Sequence, residues 1–316
     1  MYRVAIVIVT WNSAAEIGGC LDALKALPPG TAEVVVVDNA SADDTRDEVT
    51  RHTVCLIANS TNRGFASAVN QGVQATSAPL ILLLNPDAHL VGGLDALMSR
   101  FEDPTTGVAG GLLLDESGSP QAGFMARNLP TAAALILEVL GVNRLWPRNP
   151  VNWHYRCRGL DPMTAARVEQ PAGAFLMFPR SVWQMVGGFD ERFHPVWFED
   201  VDFCARVKKA GLLGWYDPGA VAKHAGAHSI RALELVNRER YWYGNLLEYA
   251  SRHFGSVRFR TVCLAVTAGA VLRAVHGFSG GGRKAIAVYC RVAGLALGRL
   301  VSPQRKLGKL LSDQAM

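Results

Sequence analysis

The first hundred residues alternate between two kinds of segment. Unbroken apolar runs rich in Val, Ile and Leu occupy 4–9, 33–38, 53–58 and 79–84. Helical patterns separate them: one from Ser13, a plausible N-cap, to Leu27, a short one opened by a Ser cap in 41-SADDT-45, and one across 62–76. Short apolar runs bounded by turn residues read as strands buried on both faces, as in a parallel sheet. The alternation predicts a β/α unit repeated three times, and so an α/β fold with a doubly wound, mostly parallel sheet. Helix 62–76 carries the small residues Gly64, Ala66, Ala68 and Gly72, which bring it close to the sheet. Further along, Leu129–Trp146 reads as a helix and 147–162 as a Pro- and Arg-rich loop. A strand follows at 168–178, then a helix at 199–210, short strands at 213–217 and 220–223, and a helix at 231–253.

Three predicted strands end in polar residues. The first ends at Thr10, Trp11 and Asn12, the second at Asp38, and the fourth runs into Asn85-Pro86-Asp87-Ala88. In open α/β sheets the ligand lies beyond the carboxyl ends of the strands. These ends therefore deliver polar groups to one rim. The strand at 168–178 contains Gly173-Ala174, where a larger side chain would obstruct a ligand.

The segment 198-FEDVDFCARVKKAG-211 places Glu199, Asp200 and Asp202 within one helical turn. Such a cluster serves as a proton acceptor, a cation site, or a favourable helix start, since acids complement the helix dipole. Repulsion from Glu199 and Asp202 is expected to raise the pKa of Asp200. His224, in 224-HAGAHS-229, is read as lying at a strand end near the same rim.

Composition narrows the classes. Hydrophobic residues make up 49% of the 316 residues, enough for a sizeable core. Six scattered cysteines form no C-x-x-C pair, which fits reduced thiols in the cytoplasm rather than zinc or a disulfide framework. The apolar run after Arg3 is too short for a signal-peptide core. Neither G-x-G-x-x-G nor G-x-x-x-x-G-K-[ST] is present, so a nucleotide would be held by strand-end side chains. The net charge of +5 is unevenly placed: residues 252–316 hold eleven Lys or Arg against Asp313, giving +10 and leaving −5 for residues 1–251. The expected division is a domain at 1–253 and a basic, apolar helical tail at 254–316. That tail fits a helix lying on an anionic membrane surface, with Val262, Leu264, Val271 and Leu272 inserting, or a core-packed helix with a solvated basic face. No nucleic-acid motif accompanies the charge, so nucleic acid is not an expected partner.

The motifs 9-VTWNS-13, 37-VDNASADDT-45, 62-NRGFASAVNQG-72, 84-LNPDA-88, 187-GGFDERF-193, 199-EDVDF-203 and 224-HAGAHS-229 follow one another in this order. Over about residues 2–250 the chain resembles family 2 inverting glycosyltransferases of the GT-A fold, and most of all bacterial rhamnosyltransferases that use dTDP-L-rhamnose on cell-wall or O-antigen precursors. The resemblance implies a nucleotide-binding N-terminal half and an acceptor-binding C-terminal half. It assigns Thr10, Trp11, Asn12, Asp38, Arg63, Gly64, Asn70, Asn85 and Asp87 to the nucleotide-sugar donor, with Asp38 accepting from base or ribose. Gly173, Ala174, Trp197 and Glu199 fall on the acceptor side. Asp87 and His224 would hold a divalent metal, Mg²⁺ or Mn²⁺, with Asn85 replacing the first acid of the family's D-x-D pattern. Asp200 would be the catalytic base. The acceptor would be lipid-linked or a glycan, met by a cytoplasmic enzyme peripheral to the inner face of the membrane. Transfer of another hexose or N-acetylhexosamine from a UDP- or GDP-sugar, and a catalytically silent nucleotide-binding subunit, are the alternatives.

Overall fold

A computed structural model describes residues 2–226, 234–280 and 282–301; the side chains of 276–280 and 282–284 are not described. The elements are, in order, β1 (Val4–Thr10), α1 (Ala14–Leu24), β2 (Ala32–Asp38), α2 (Thr45–Thr50), β3 (Cys55–Ala58), α3 (Phe65–Gln74), β4 (Leu80–Leu84), β5 (Ala88–Gly92), α4 (Leu94–Ser99) and β6 (Thr106–Leu114). Then follow β7 (Ala126–Arg127), α5 (Ala132–Val139), α6 (Val142–Leu145), α7 (Pro150–Tyr155), β8 (Ala166–Arg167), β9 (Gln170–Pro171), β10 (Phe175–Pro179), α8 (Arg180–Val186), α9 (Glu199–Lys209) and β11 (Leu213–His224). Three helices close the described chain: α10 (Leu235–His253), α11 (Ser256–Gly280) and α12 (Gly282–Val301).

Two compact units share the chain. The first contains residues 1–129, 156–191 and 199–232; the second contains 130–155, 192–198 and 233–316. The expected division at residue 253 follows charge and pattern along the chain, whereas the compact units are interleaved.

The first unit is built on a sheet ordered β3-β2-β1-β4-β10-β6-β11-β5, with β8 paired to β11. The strands β3, β2, β1 and β4 are mutually parallel, and β10 enters antiparallel to both β4 and β6. Successive strand side chains point to opposite faces. Val4, Ile6 and Ile8 meet Ile17 and Leu21 of α1 on one face, while Val7, Val35 and Val37 meet Val69 and Val73 of α3 on the other. Both faces are covered, which is why these strands read as unbroken apolar runs. A Cβ at Gly72 would lie 2.5 Å from Val7, so the close approach of α3 to β1 requires glycine there.

Three aromatic rings fasten the acidic helix. Phe203 of α9 stacks on Phe189 at 4.4 Å, and both pack against Phe178 of β10 at 5.0 and 5.8 Å. The expected strand 168–178 is interrupted around Gly173, leaving β9 and β10. The helix expected at Leu129–Trp146 breaks at Gly141, and the expected loop 147–162 contains α7. The two short strands expected near 213–223 form the single β11, irregular between Asp217 and Val221.

The second unit is helical. Arg299 of α12 reaches Glu248 of α10 at 2.8 Å in a buried pair, and Arg273 of α11 donates to the Val139 carbonyl at the end of α5. Val262, Val266 and Ala270 are fully buried, as is Ala296. Val262, expected to insert into lipid, is therefore a packing residue, whereas Leu264, Val271 and Leu272 are exposed. Among the described residues no helix is long and apolar enough to cross a membrane.

Candidate active site

Side chains at the ends of β1 and β2 knit two loops together. Asp38 is fully buried, and both its oxygens are engaged. Thr10 Oγ1 donates to it at 3.1 Å, the Ser41 amide at 3.1 Å and Arg46 Nε at 2.6 Å, and the Ser41 hydroxyl donates as well. Asp38 was expected to accept from a base or ribose, but its acceptor capacity is spent inside the protein. Ser41, expected to cap α2, is the partner that spends it; α2 begins only at Thr45. Asn12, at φ +51°, accepts from the Ala42 amide at 2.8 Å, and the Ser41 hydroxyl accepts from the Asn12 amide at 2.9 Å. Trp11 and Asn12 remain partly accessible and Arg63 is exposed. The amides of Arg63 and Gly64 are anchored on Asn39 and Asn62, each at 2.9 Å.

Asn70, expected at the donor, is an internal tie. Its amide donates to the Phe189 carbonyl at 2.8 Å and to Glu191 at 3.2 Å, and its oxygen accepts from the Phe189 amide and Trp183 Nε1. It locks α3 to the segment that precedes the acidic helix.

Asp87 and His224 come together at the ends of β4 and β11. Asp87 Oδ1 lies 3.5 Å from His224 Nε2, and its Oδ2 accepts from the Gly226 amide at 3.0 Å. Gln121, which the sequence did not single out, grips the histidine twice. Its Oε1 is 3.0 Å from His224 Nδ1, and its Nε2 donates to the His224 carbonyl at 2.7 Å. Phe124 stacks on the imidazole at 5.3 Å and 9°. Burial lowers the pKa of His224 against the opposing pull of Asp87, so the ring favours its neutral form. With Nδ1–H donating to Gln121, the Nε2 lone pair faces Asp87, and Nε2 has no hydrogen-bond partner among the described residues.

That orphaned buried nitrogen beside a carboxylate suits a divalent cation, as does a second residue fixing the tautomer. Asp87 and His224 would be its protein ligands. Among the described residues no group of three His, Cys, Asp or Glu side chains is clustered to hold a metal. Hard divalent cations also take phosphate oxygens as ligands.

Asp200 sits in the first turn of α9, half-buried, with its carboxylate held from three sides. Gln170 Nε2 and the Gly173 amide donate to Oδ2 at 3.1 and 3.2 Å, and the Val201 amide donates to Oδ1 at 2.8 Å. A Cβ at Gly173 would stand 3.0 Å from Oδ2 and from Asp200 Cβ. The missing side chain at Gly173, expected to make room for a ligand, makes room for Asp200. Burial raises the pKa of Asp200; the Val201 amide, Arg127, the Gly173 amide and Gln170 draw it down. The sequence attributed this rise to Glu199 and Asp202, but desolvation is the cause. Asp202 is paired with Arg206 at 2.7 Å, one helical turn on. Glu199 is buried and pushed well above the usual carboxylate range, first by burial and then by Asp200.

The two carboxylate sites are joined through backbone. The Asn85 amide, two residues before Asp87, donates to the Ala174 carbonyl at 3.0 Å, and the neighbouring Gly173 amide holds Asp200. Arg127 also lies over the Phe124 ring at 5.5 Å, so Phe124 touches both the His224 ring and the cation that acts on Asp200. Trp197 belongs to the second unit, where it lines a cavity.

The profile of glycosyl transferase family 2 matches residues 5–155. An N-acetylglucosaminyl-diphospho-decaprenol L-rhamnosyltransferase of Mycobacterium tuberculosis is 30% identical over 267 residues, covering 79% of this chain and 85% of that one. The chain belongs to glycosyl transferase family 2. This glycosyltransferase is also similar to the O-antigen chain rhamnosyltransferase RfbN of Salmonella typhimurium, at 23% identity over 72% of this chain and 68% of that one. Its fold is that of the mannosyltransferase PcManGT from Pyrobaculum calidifontis, solved with GDP-Man and Mn²⁺: TM-score 0.55, 18% identity, 96% of this chain and 88% of that one. The GT-A architecture and the glycosyltransferase class expected from the motifs are thus established.

Proposed function

We propose that this glycosyltransferase moves L-rhamnose from dTDP-L-rhamnose to a lipid-linked or glycan acceptor with inversion at the anomeric carbon. The similarity to two rhamnosyltransferases supports the sugar. The observation that carries the chemistry is Asp200: one half-buried carboxylate, raised in pKa, and fixed by Gln170, Gly173 and Val201. In the transfer an acceptor hydroxyl oxygen forms a bond to the anomeric carbon while the bond from that carbon to the diphosphate oxygen breaks. The hydroxyl proton passes to Asp200, and the bonding pair leaves with the nucleoside diphosphate. A raised pKa brings the base closer to the working pH and so improves it. A divalent cation, Mg²⁺ or Mn²⁺, bound by Asp87 and His224 would neutralise charge on the leaving diphosphate. Trp11 and Arg63 face the nucleotide, with Thr10 and Asp38 holding the strand ends beside Trp11 and Asn39 holding the Arg63 amide. The test is a panel of dTDP-, UDP- and GDP-sugars with NMR assignment of the product anomer. A product that retains the donor's anomeric configuration, or transfer confined to a UDP- or GDP-sugar, refutes the respective half of this reading.

We also place the enzyme on the cytoplasmic face of an anionic membrane. Val257, Leu264, Val271, Leu272 and Val275 are exposed along α11, beside exposed Arg258 and Arg260. Basic residues near such a surface contribute about 1 kcal/mol each and are screened by salt. Sedimentation with anionic vesicles should weaken with salt and leave an apolar remainder that Leu264→Asp removes. Equal binding to neutral and anionic vesicles, or none to either, refutes the placement.

A further inference from the structure

The second unit has a cavity of its own, ≈ 300 Å³ in volume. That is the lower end for small-ligand pockets, roughly 300–1,000 Å³. Four aromatic side chains line it: Trp197, Trp242, Tyr243 and Tyr289. The charged lining is Arg238, Arg273, Glu138 and Glu239. The formal charges cancel, and that balance selects among ligands. Aromatic faces with carboxylates alone would cage a cation, but two guanidinium groups oppose one. Arginines alone would take a phosphate or carboxylate, but two carboxylates oppose it. The lining matches a neutral, hydroxyl-rich ring. Flat faces receive its C–H bonds, and planar polar side chains donate to or accept from neighbouring hydroxyls. Burial pushes the Tyr243 phenol up to about 12 and raises Tyr289 too, so both stay protonated donors at neutral pH.

The lining is held in place. Trp197 and Phe198 adopt φ of +80° and +71°, a left-handed conformation unusual for bulky residues. Asn245 of α10 pins the preceding turn by donating to the carbonyls of Val196 at 2.8 Å and His194 at 3.3 Å. Strained backbone persists only where its surroundings over-determine it. Trp242 packs edge-on against Tyr243 at 4.8 Å, and Arg273 donates to the carbonyls of Val139 and Gly269.

We propose that this cavity is a saccharide subsite, built wholly within the second unit, that binds one pyranose ring of the acceptor glycan. The word acceptor rests on the transfer reading above; saccharide binding itself does not. The test uses the full chain, with saturation-transfer NMR and calorimetry on methyl α-L-rhamnoside, N-acetylglucosamine and methyl β-galactoside, and with choline and inorganic phosphate as charged probes. At least one saccharide should bind, and Trp242→Ala and Glu239→Gln should each weaken it by about tenfold, the loss of one stacking face or one paired hydrogen bond. Circular dichroism confirms folding, and Tyr289→Phe serves as the milder variant should Trp242→Ala fail to fold. Choline or phosphate binding in place of a saccharide, no saccharide binding, or binding indifferent to these variants overturns the proposal. Saccharide binding that depends on Trp242 while the donor panel gives no product would sink the transfer reading and leave the subsite standing.

Discussion

Replacing Asp200 by Asn separates the carboxylate's chemical role from its structural one. The new side-chain oxygen can still accept from the Val201 amide, now at 2.8 Å. The new NH₂ would face two donors, Gln170 Nε2 and the Gly173 amide. Gln170 can turn its amide to accept, because its own Oε1 is buried without a hydrogen-bond partner. The Gly173 amide cannot turn. One orphaned backbone donor costs about 1–3 kcal/mol of stability. Turnover should fall by about a hundredfold or more, since the attacking hydroxyl loses its proton acceptor. Donor binding should stay near its parental value. Single-turnover kinetics with saturating donor, alongside a thermal shift, reads both quantities. Glu199→Gln is the control: burial and Asp200 push this glutamate well above its ordinary range, and Gln is the neutral isostere. Turnover within tenfold of the parent in Asp200→Asn, or a collapse in Glu199→Gln, would refute the assignment. The pH profile adds an independent check. Because burial raises the Asp200 pKa, the acid limb of kcat should lie above the ordinary Asp value of about 3.9. The linkage runs the same way. Native Asp200 and Glu199 bind protons more tightly than in the unfolded chain, so their stabilising contribution is complete below the ordinary carboxylate range. It is lost as pH rises through the raised values.

Asp87→Ala should abolish stimulation by Mn²⁺ or Mg²⁺ and weaken donor binding; full parental activity in excess chelator would refute a metal at that carboxylate. Gln121→Leu removes the partner that fixes the His224 tautomer and should weaken Mn²⁺ binding by about 10–100-fold in calorimetry; unchanged affinity would show that Gln121 positions nothing. Gly173→Ala puts a methyl group 3.0 Å from the Asp200 carboxylate and should cost about 1–3 kcal/mol in stability together with most of the turnover; a crystal structure showing Asp200 undisplaced would refute the packing argument.

The apolar runs made the parallel half of the sheet legible, because strands covered on both faces are continuous in hydrophobicity. Their polar ends located Thr10, Asp38 and Asp87, and the acidic turn located Asp200. What the pattern could not show is where an acceptor's lone pairs are spent. Asp38 and Asn70 have the residue types of ligand contacts, yet their hydrogen bonds go to Arg46 and Ser41 in one case and to Phe189 and Trp183 in the other. Asp202 carried a readable signal that was passed over: Arg206 stands four residues on, the spacing of a helical ion pair. Gln121 and Gln170 carried none. Their partners lie 103 and 30 residues away, and neither residue type nor local pattern points to a partner that distant.

The chain does not complete one compact unit before starting the other. Segments 130–155 and 192–198 leave the first unit and return, and only then does 233–316 follow. No single cut releases either unit as a continuous piece. A chimera joined near residue 253 would bring foreign helices to α5 and α10, whose partners in α11 and α12 are specific: Arg273 for the Val139 carbonyl, Arg299 for Glu248. The second unit therefore cannot be exchanged by grafting a C-terminus. The graft must carry three segments at once, and the last residue of the second one, Phe198, is peptide-bonded to Glu199, the neighbour of Asp200.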